Sequence, residues 1–293
     1  MKEIVVLSGK GGTGKTSLAA AFSSLGGDDL IVADCDVDAA DLHLLLQPDF
    51  SQAQEFYSGL LAEINPEKCT GCGICAEVCR FEAIASIDNR FRIELLNCEG
   101  CGYCRRVCPE DAITMEERHV GEWYVSTTKL GNPMVHARLG IGAENSGKLV
   151  AQVKNEARGI AGEQGKSIIL VDGSPGIGCP VVSSLSGADF VVLVTEPTLS
   201  ALHDLKRITR LVKRFNIRAG CIINKADLNL QIASEIERFL DEEKIINIAS
   251  LAYDESFIKA MINGRTIMED DNSSLIPILT EIWQKINNIL AGN

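Results

Sequence analysis

No apolar run in this 293-residue chain approaches the roughly 18–20 residues that a membrane-spanning helix requires, so no membrane insertion is expected. No secretory leader is expected either, because no signal-peptide apolar region fits. Met1-Lys2-Glu3 leads straight into the strand-like Ile4-Val5-Val6-Leu7, and Lys10 and Lys15 then interrupt the apolar stretch. A cytoplasmic protein is expected. Positive charge is also scarce: 28 Lys and Arg stand against 40 Asp and Glu, a formal net charge of −12. Nucleic acid and anionic membrane both attract basic surfaces, so neither is an expected partner. The four histidines show no metal-ligand spacing.

What the chain does contain is ordinary in bulk and unusual in detail. Its 46% hydrophobic and 23% charged residues describe a globular protein, long enough for one large or two modest domains. Its eleven cysteines are too many to be incidental. In a reducing compartment they read as metal ligands in preference to disulfides.

Outside the cysteine-rich window, short β-rich apolar runs recur at residues 4–7, 30–33, 168–171, 190–194, 221–223 and 245–251. Helical stretches at 16–25, 147–161, 200–215 and 230–241 alternate with them. Glu144, Asn145, Ser146 and Lys148 mark one helix start. Strands buried on both faces and alternating with helices predict an α/β doubly wound, mostly parallel sheet. Ligands bind such sheets at the carboxyl ends of the strands. Polar residues gather at those ends: Asp34, Asp36, Asp38 and Asp41 after the second run, and Asp172, Pro175 and Gly176 after the third.

The first run ends in SGKGGTGKTS, which satisfies Gly-x-x-x-x-Gly-Lys-[Ser/Thr] with Gly9, Gly14, Lys15 and Thr16. In such a loop, backbone N–H groups close on phosphate oxygens, the lysine reaches the β- and γ-phosphates, and the hydroxyl holds Mg²⁺. Gly9, Gly11, Gly12, Thr13, Gly14, Lys15, Thr16 and Ser17 are therefore the candidate nucleotide cradle, and Thr16 with Asp172 the candidate Mg²⁺ site. The same residues also spell Gly9-x-Gly11-x-x-Gly14, a dinucleotide fingerprint, with an acid about 20 residues on. That reading leaves Lys15 and Thr16 without a task.

GKGGTGKT with its extra Lys10, followed by Asp34-x-Asp36, resembles the deviant Walker A class of MinD, ParA, Mrp and nitrogenase iron protein ATPases. The resemblance implies ATP as substrate and a nucleotide-dependent dimer, either a homodimer or a heterodimer with a related ATPase. It implies that Lys10 crosses the dimer interface to the partner's phosphates, and that Asp36 serves the attacking water. Lys10, Lys15 and Asp36 are then the catalytic set. INKAD resembles the Asn-Lys-x-Asp of GTPases, but in MinD-like proteins the asparagine at this place, Asn224, contacts adenine.

Two runs of Cys-x₂-Cys-x₂-Cys-x₃-Cys follow one another: Cys69, Cys72, Cys75, Cys79 and Cys98, Cys101, Cys104, Cys108. Each cysteine of the first recurs 29 residues later, as do Gly71 and Gly73 at Gly100 and Gly102. This internal duplication matches the bacterial two-cluster ferredoxin. The match implies two [4Fe–4S] clusters with crossed ligation, three thiolates from one run and the fourth from the other. One cluster takes Cys69, Cys72, Cys75 and Cys108; the other takes Cys98, Cys101, Cys104 and Cys79. Arg80 departs from the pattern, standing where Pro109 stands in the second run. Cys35, Cys179 and Cys221 are expected to be buried, inert thiols.

Nearly the whole chain is similar to the MinD-superfamily P-loop ATPases that contain an inserted ferredoxin domain. The expected organisation is ATPase over 1–60, an inserted bacterial-type 2[4Fe–4S] ferredoxin domain over 61–117, and ATPase again over 118–293. The insert follows the switch-like segment 36–41, so nucleotide state is expected to be felt at the clusters. The leading expectation is an ATPase that couples dimerisation to electron transfer with a redox protein partner. A cluster-carrier ATPase and a positioning ATPase with a ferredoxin docking module are the alternatives. LIPILTEIWQKINNIL near the end is amphipathic with one basic residue, Lys285, and is expected to pack on the sheet.

Overall fold

The computed structural model describes residues 1–87, 90–140, 142–143, 145–270 and 273–292. The chain runs through β1 (Lys2–Ser8), α1 (Lys15–Gly26), β2 (Leu30–Cys35) and α2 (Leu42–Leu46) into the long strand β3 (Gln52–Ile64). Small elements follow: α3 (Ile74–Glu77), β4 (Ile84–Ile87), β5 (Arg90–Ile93) and α4 (Tyr103–Val107). It returns through β6 (Ile113–Thr127), β7 (Pro133–Leu139), α5 (Ser146–Glu163), β8 (Ile168–Gly173), α6 (Cys179–Leu185) and β9 (Phe190–Thr195). The last part holds α7 (Leu199–Arg214), β10 (Arg218–Ile223), α8 (Leu230–Glu242), β11 (Ile246–Ser250), α9 (Ser256–Ile262) and α10 (Leu275–Ala291). Ser146 opens α5, as its helix-start pattern predicts; Glu144 lies outside the described residues.

These elements form two compact units. One comprises Met1–Gln54, Glu122–Leu139 and Ser146–Asn293; the other comprises Glu55–Gly121 and Gly140–Asn145. The large sheet has the order β11-β10-β9-β1-β8-β2-β7-β6-β3. From β11 to β7 every neighbour is parallel. β1 explains why: six of its seven residues are buried, and Ile4–Leu7 within it form a continuous apolar run covered by helices on both faces. Strands β3, β6 and β7 are additions the sequence reading does not contain. β3 is exposed along most of its length and offers neither an apolar run nor a clean alternation. β6 and β7 are joined by five residues, too few for a crossover, so they form a hairpin.

Register places the functional acids side by side. Asp34 is the direct neighbour of Asp172 across β2 and β8, and Val6 of β1 pairs with Asp172 on its other side. Under this sheet, Phe22 of α1 stacks on Trp283 of α10 with ring centroids 5.4 Å apart. α10 buries Leu279, Ile282, Trp283 and Ile286 in that same core. Lys285 is tied down as well, donating to the Ile248 carbonyl at 2.8 Å. The final amphipathic segment therefore packs on the body of the fold. Among the described residues, no helix is long and apolar enough to cross a membrane.

In the second unit, β4 and β5 form an antiparallel hairpin from Ile84↔Ile93 to Ile87↔Arg90. Ala62, Cys75, Ala83, Ile93, Cys98 and Ile113 make its small core. α3 and α4 each start after a glycine in the left-handed region, Gly73 and Gly102, so the sequence duplication is also a structural one.

A buried ion cluster ties β1 to α5. Glu3 pairs with Lys154 at 2.6 Å and with Arg158 at 2.8 Å, and Lys154 also donates to the Ser186 carbonyl at 2.8 Å. Burial lowers the pKa of Lys154, an effect that Glu3 partly opposes. Removing one partner of a buried pair strands the other charge. Glu3→Ala should lower stability by about 3–5 kcal/mol in urea unfolding. Adding Lys154→Met to Glu3→Ala should recover much of that loss, because no buried charge is then left alone. A loss that persists in the double variant would assign the effect to packing instead.

Candidate functional site

The loop between β1 and α1 builds the site from its backbone. Gly14 lies at φ +91, and a Cβ there would meet Asn224 Nδ2 at 2.4 Å, so only glycine fits. It is the N-cap of α1 and offers no side-chain cap, and the first turn of the helix carries no acid. The leading N–H groups and the positive end of the helix dipole are thus open to an anion. Gly11, Gly12, Gly14, Lys15, Thr16 and Ser17 line a cavity of about 430 Å³. Gly9 and Thr13 belong to the same loop, Thr13 with its carbonyl turned to Asn224.

Lys15 is held among carboxylates. Its Nζ lies 2.7 Å from Asp172 and 3.2 Å from Asp36, and the side chains of Lys15 and Asp172 are 7% and 1% exposed. Thr16 Oγ1 lies 3.4 Å from the same ammonium. Burial works against the charge on Lys15, but Asp172 and Asp36 outweigh it and raise its pKa. Burial raises Asp36, and burial together with Asp172 pushes Asp34 up to about 8. Three carboxylates thus face one ammonium. Oxygens on all three, Asp34 Oδ2, Asp36 Oδ1 and Asp172 Oδ2, are buried without a hydrogen-bond partner. With Asp34 holding its proton, the unsatisfied oxygens of Asp36 and Asp172 fit a hydrated divalent cation, with Thr16 on the same cavity wall.

Lys10 points elsewhere. Its Nζ pairs with Glu196 at 2.7 Å and contacts Thr198 Oγ1 at 3.2 Å and Ser200 Oγ at 3.3 Å. Glu196 also holds Lys225 at 2.9 Å, and Lys225 donates to the Gly12 carbonyl at 3.1 Å. Burial opposes ionisation of Glu196, yet Lys10 and Lys225 hold it below the usual carboxylate range. Asn224 buttresses the loop, donating to the Thr13 carbonyl at 2.9 Å. Asp227 accepts the Tyr253 N–H at 2.6 Å, so the INKAD strand end braces the segment before α9.

Sequence reasoning missed Glu196 and one wall of the cavity. Leu44 and Leu45 of α2, Tyr253, and Phe257, Ile258 and Met261 of α9 line it with an apolar surface. The rule that ligands sit at strand carboxyl ends pointed to the segment after β11; no motif there did.

The eight window cysteines fall into two groups, each lining its own cavity in the second unit. Cys79, Cys98, Cys101 and Cys104 line one of about 350 Å³. Cys69, Cys72, Cys75 and Cys108 line another of about 20 Å³. Each group therefore mixes three cysteines of one run with the fourth of the other. The fourth sulfurs are treated alike: Cys79 Sγ accepts the Ala83 N–H at 3.4 Å, and Cys108 Sγ accepts the Ala112 N–H at 3.3 Å. Gly100, at φ +63, sits where a Cβ would strike the Leu60 carbonyl oxygen at 2.0 Å. Among the described residues, no three His, Cys, Asp or Glu side chains converge on a single-ion site. Of the other thiols, Cys35 and Cys221 are buried, and burial pushes both well up. Cys179 departs from expectation: it is exposed, because it opens α6 on the solvent side of the loop after β8.

The pH dependence of this site has a definite sign. Asp34 binds its proton more tightly folded than unfolded. Its contribution is complete below the unfolded value near 3.8 and is lost as pH rises to about 8. Asp34→Asn removes that dependence and keeps an acceptor for the Asp36 N–H, which Asp34 Oδ1 now receives at 3.1 Å. In thermal melts without nucleotide, the variant should gain on the native chain between pH 5 and 8, by at most about 1.4 kcal/mol per pH unit. The gain should level off above pH 8. Parallel curves across that range would show that Asp34 is ionised throughout.

This geometry has counterparts. The chain is 30% identical over 290 residues to an uncharacterised protein of Methanocaldococcus jannaschii, covering 98% of this chain and 97% of the relative. A second uncharacterised protein of that organism is 30% identical over 228 residues, covering 77% and 80%. Among solved structures, the septum site-determining protein MinD complexed with Mg-ADP from Pyrococcus horikoshii superposes with a TM-score of 0.59 at 18% identity, over 98% of this chain and 96% of that one. A chain of the MinC:MinD cell division protein complex of Aquifex aeolicus gives 0.59 at 16% identity, over 98% of this chain and 96% of that one. At these identities the likeness is one of fold. Residues 4–267, which include the phosphate loop and all three buried carboxylates, match the CobQ/CobB/MinD/ParA nucleotide binding domain, and the chain belongs to that family.

Proposed function

We propose that this protein is a Mg²⁺-dependent ATPase that carries two [4Fe–4S] clusters and couples nucleotide-dependent dimerisation to electron transfer. The observation that carries the reading is the pairing of a complete phosphate site with two crossed cysteine quartets in one chain. Four thiols around a cavity suit a cube, whereas a zinc ion needs them gathered at one point. The smaller cavity, about 20 Å³, must open as its side chains move outward to admit such a cube. When bound, the clusters supply low-potential one-electron carriers. Cys69, Cys72, Cys75 and Cys108 would hold one, and Cys98, Cys101, Cys104 and Cys79 the other. The insert over 61–117 is their domain in this reading, with ATPase over 1–60 and 118–293.

At the phosphate site the chain's own residues do the following. Lys15 leaves Asp36 and Asp172 for the β/γ-phosphates, and the N–H groups of Gly11–Thr16 close on the oxygens. Thr16 and, through water, Asp172 would hold Mg²⁺. Asp36, released from Lys15, orients the attacking water. The base packs on the apolar wall of Tyr253 and Phe257 near Asn224; the Mg-ADP named with the Pyrococcus MinD supports an adenine nucleotide. Lys10 sits beside the N-terminus of α7, a position unfavourable for a cation apart from its Glu196 partner. It is thereby poised to exchange Glu196 for phosphate oxygens of a second copy or of a related ATPase. Cys72 and Cys101 are exposed, which favours a second reading, donation of a cluster to an acceptor protein.

Two measurements test this. Anaerobically prepared protein should contain about eight iron and eight labile sulfide per chain; iron retained in the presence of an apo-acceptor separates electron transfer from cluster donation. Protected material that takes up no iron would remove the redox function and leave a positioning ATPase. For the dimer, Lys15→Ala should abolish ATP binding, whereas Lys10→Ala should bind ATP yet neither dimerise nor hydrolyse. Mixing the two should restore part of the hydrolysis, since one competent site is rebuilt from Lys15 of one chain and Lys10 of the other. Mixed dimers that form and stay inactive would confine Lys10 to its own loop.

A further inference from the structure

The duplicated cysteine runs match at an offset of 29 residues, so each failure of the repeat marks a difference between the two cavities. After the fourth cysteine the first run reads Arg80-Phe81, and the second reads Pro109-Glu110. Because the fourth cysteines cross over, Arg80 and Phe81 line the cavity of Cys79, Cys98, Cys101 and Cys104. Pro109 and Glu110 line the cavity of Cys69, Cys72, Cys75 and Cys108. The short helices differ in the same sense. Cys75 is followed on α3 by Ala76 and Glu77, whereas Cys104 is followed on α4 by Arg105 and Arg106.

Opposing charges are fewer. Glu99 lines the larger cavity where the repeat has Thr70, and Lys68 precedes Cys69 where the repeat has Asn97. Glu82 and Asp111 occupy matching positions and cancel. The balance leaves the Cys79 quartet in a more positive surrounding and the Cys108 quartet in a more negative one. Reducing a cluster adds one negative charge, which nearby cations favour and nearby anions oppose.

Resting on the cluster reading above, we propose that the two sites are redox-inequivalent. The cluster of Cys79, Cys98, Cys101 and Cys104 has the higher midpoint potential and fills first, and Arg80 and Glu110 are the residues that set the gap. Arg80 is exposed, as is Glu110, so solvent screens both. Each should then shift its own site by about tenfold in the one-electron equilibrium constant, which is about 59 mV.

The experiment is a redox titration of the full chain followed by EPR, with iron and sulfide counted first in every preparation. Arg80→Gln should lower the higher potential by about that tenfold factor and leave the lower one in place. Glu110→Gln should raise the lower potential and leave the higher one in place. The double variant should bring the two together, and high salt should shrink both shifts. A merely structural role would move neither potential selectively. Eight-iron preparations whose potentials ignore both substitutions, or respond at the opposite sites, overturn this inference and leave the cluster reading intact. A chain that takes up no iron overturns both.

Discussion

The grip of Asp36 and Asp172 on Lys15 is the contact around which the nucleotide unit is organised. It exists because β1 and β2 flank β8, so that the loop lysine and the strand-end acids meet at one edge of the sheet. Taking such groups out of water is costly, and one ammonium cannot satisfy three carboxylates. Asp34 responds by holding its proton, and oxygens of all three acids stay unpartnered. Surplus buried negative charge of this kind favours a bound cation. In the proposed nucleotide complex, these internal pairs and the phosphates would compete for the same lysine.

A second network keeps the other side of the loop in position. Glu196 at the end of β9 gathers Lys10 and Lys225, and Lys225 and Asn224 reach the carbonyls of Gly12 and Thr13. The two lysines of the loop are thus treated differently. Lys15 is enclosed among acids at the strand ends, whereas Lys10 lies partly exposed beside a helix N-terminus, where the dipole repels it. That contrast supports the separate role proposed for the extra lysine, a cation held by one carboxylate and able to change partners.

The second unit shows how a duplicated sequence becomes two unequal sites. The same glycine-capped short helices and the same N–H to sulfur bonds recur in both halves. Exchange of the fourth cysteine carries its neighbours with it, so the residue after Cys79 colours the cavity of the other run. Under the proposed ligation, a substitution after the fourth cysteine of one half would act on the cavity of the other. Arg80, which looks like a simple departure from a proline pattern, gains its meaning only through that crossing.

The parts legible from sequence alone were those whose chemistry demands fixed residues at short spacing. The phosphate loop, the acids closing β2 and β8, the apolar parallel strands and the 29-residue duplication all belong to this class. Local pattern suffices there because backbone geometry within a dozen residues determines the outcome. Tertiary structure decided the rest. β3 is mostly exposed, and β6 mixes buried and exposed positions without a regular alternation, so both acquire strand form from their neighbours in the sheet. Glu196 meets Lys10, and Glu3 meets Lys154, across separations of more than 150 residues that no spacing rule spans. The apolar wall from α9 is likewise brought to the phosphate loop only by the winding of the sheet. Sequence determined which groups could do chemistry; the packing of distant strands decided which of them meet.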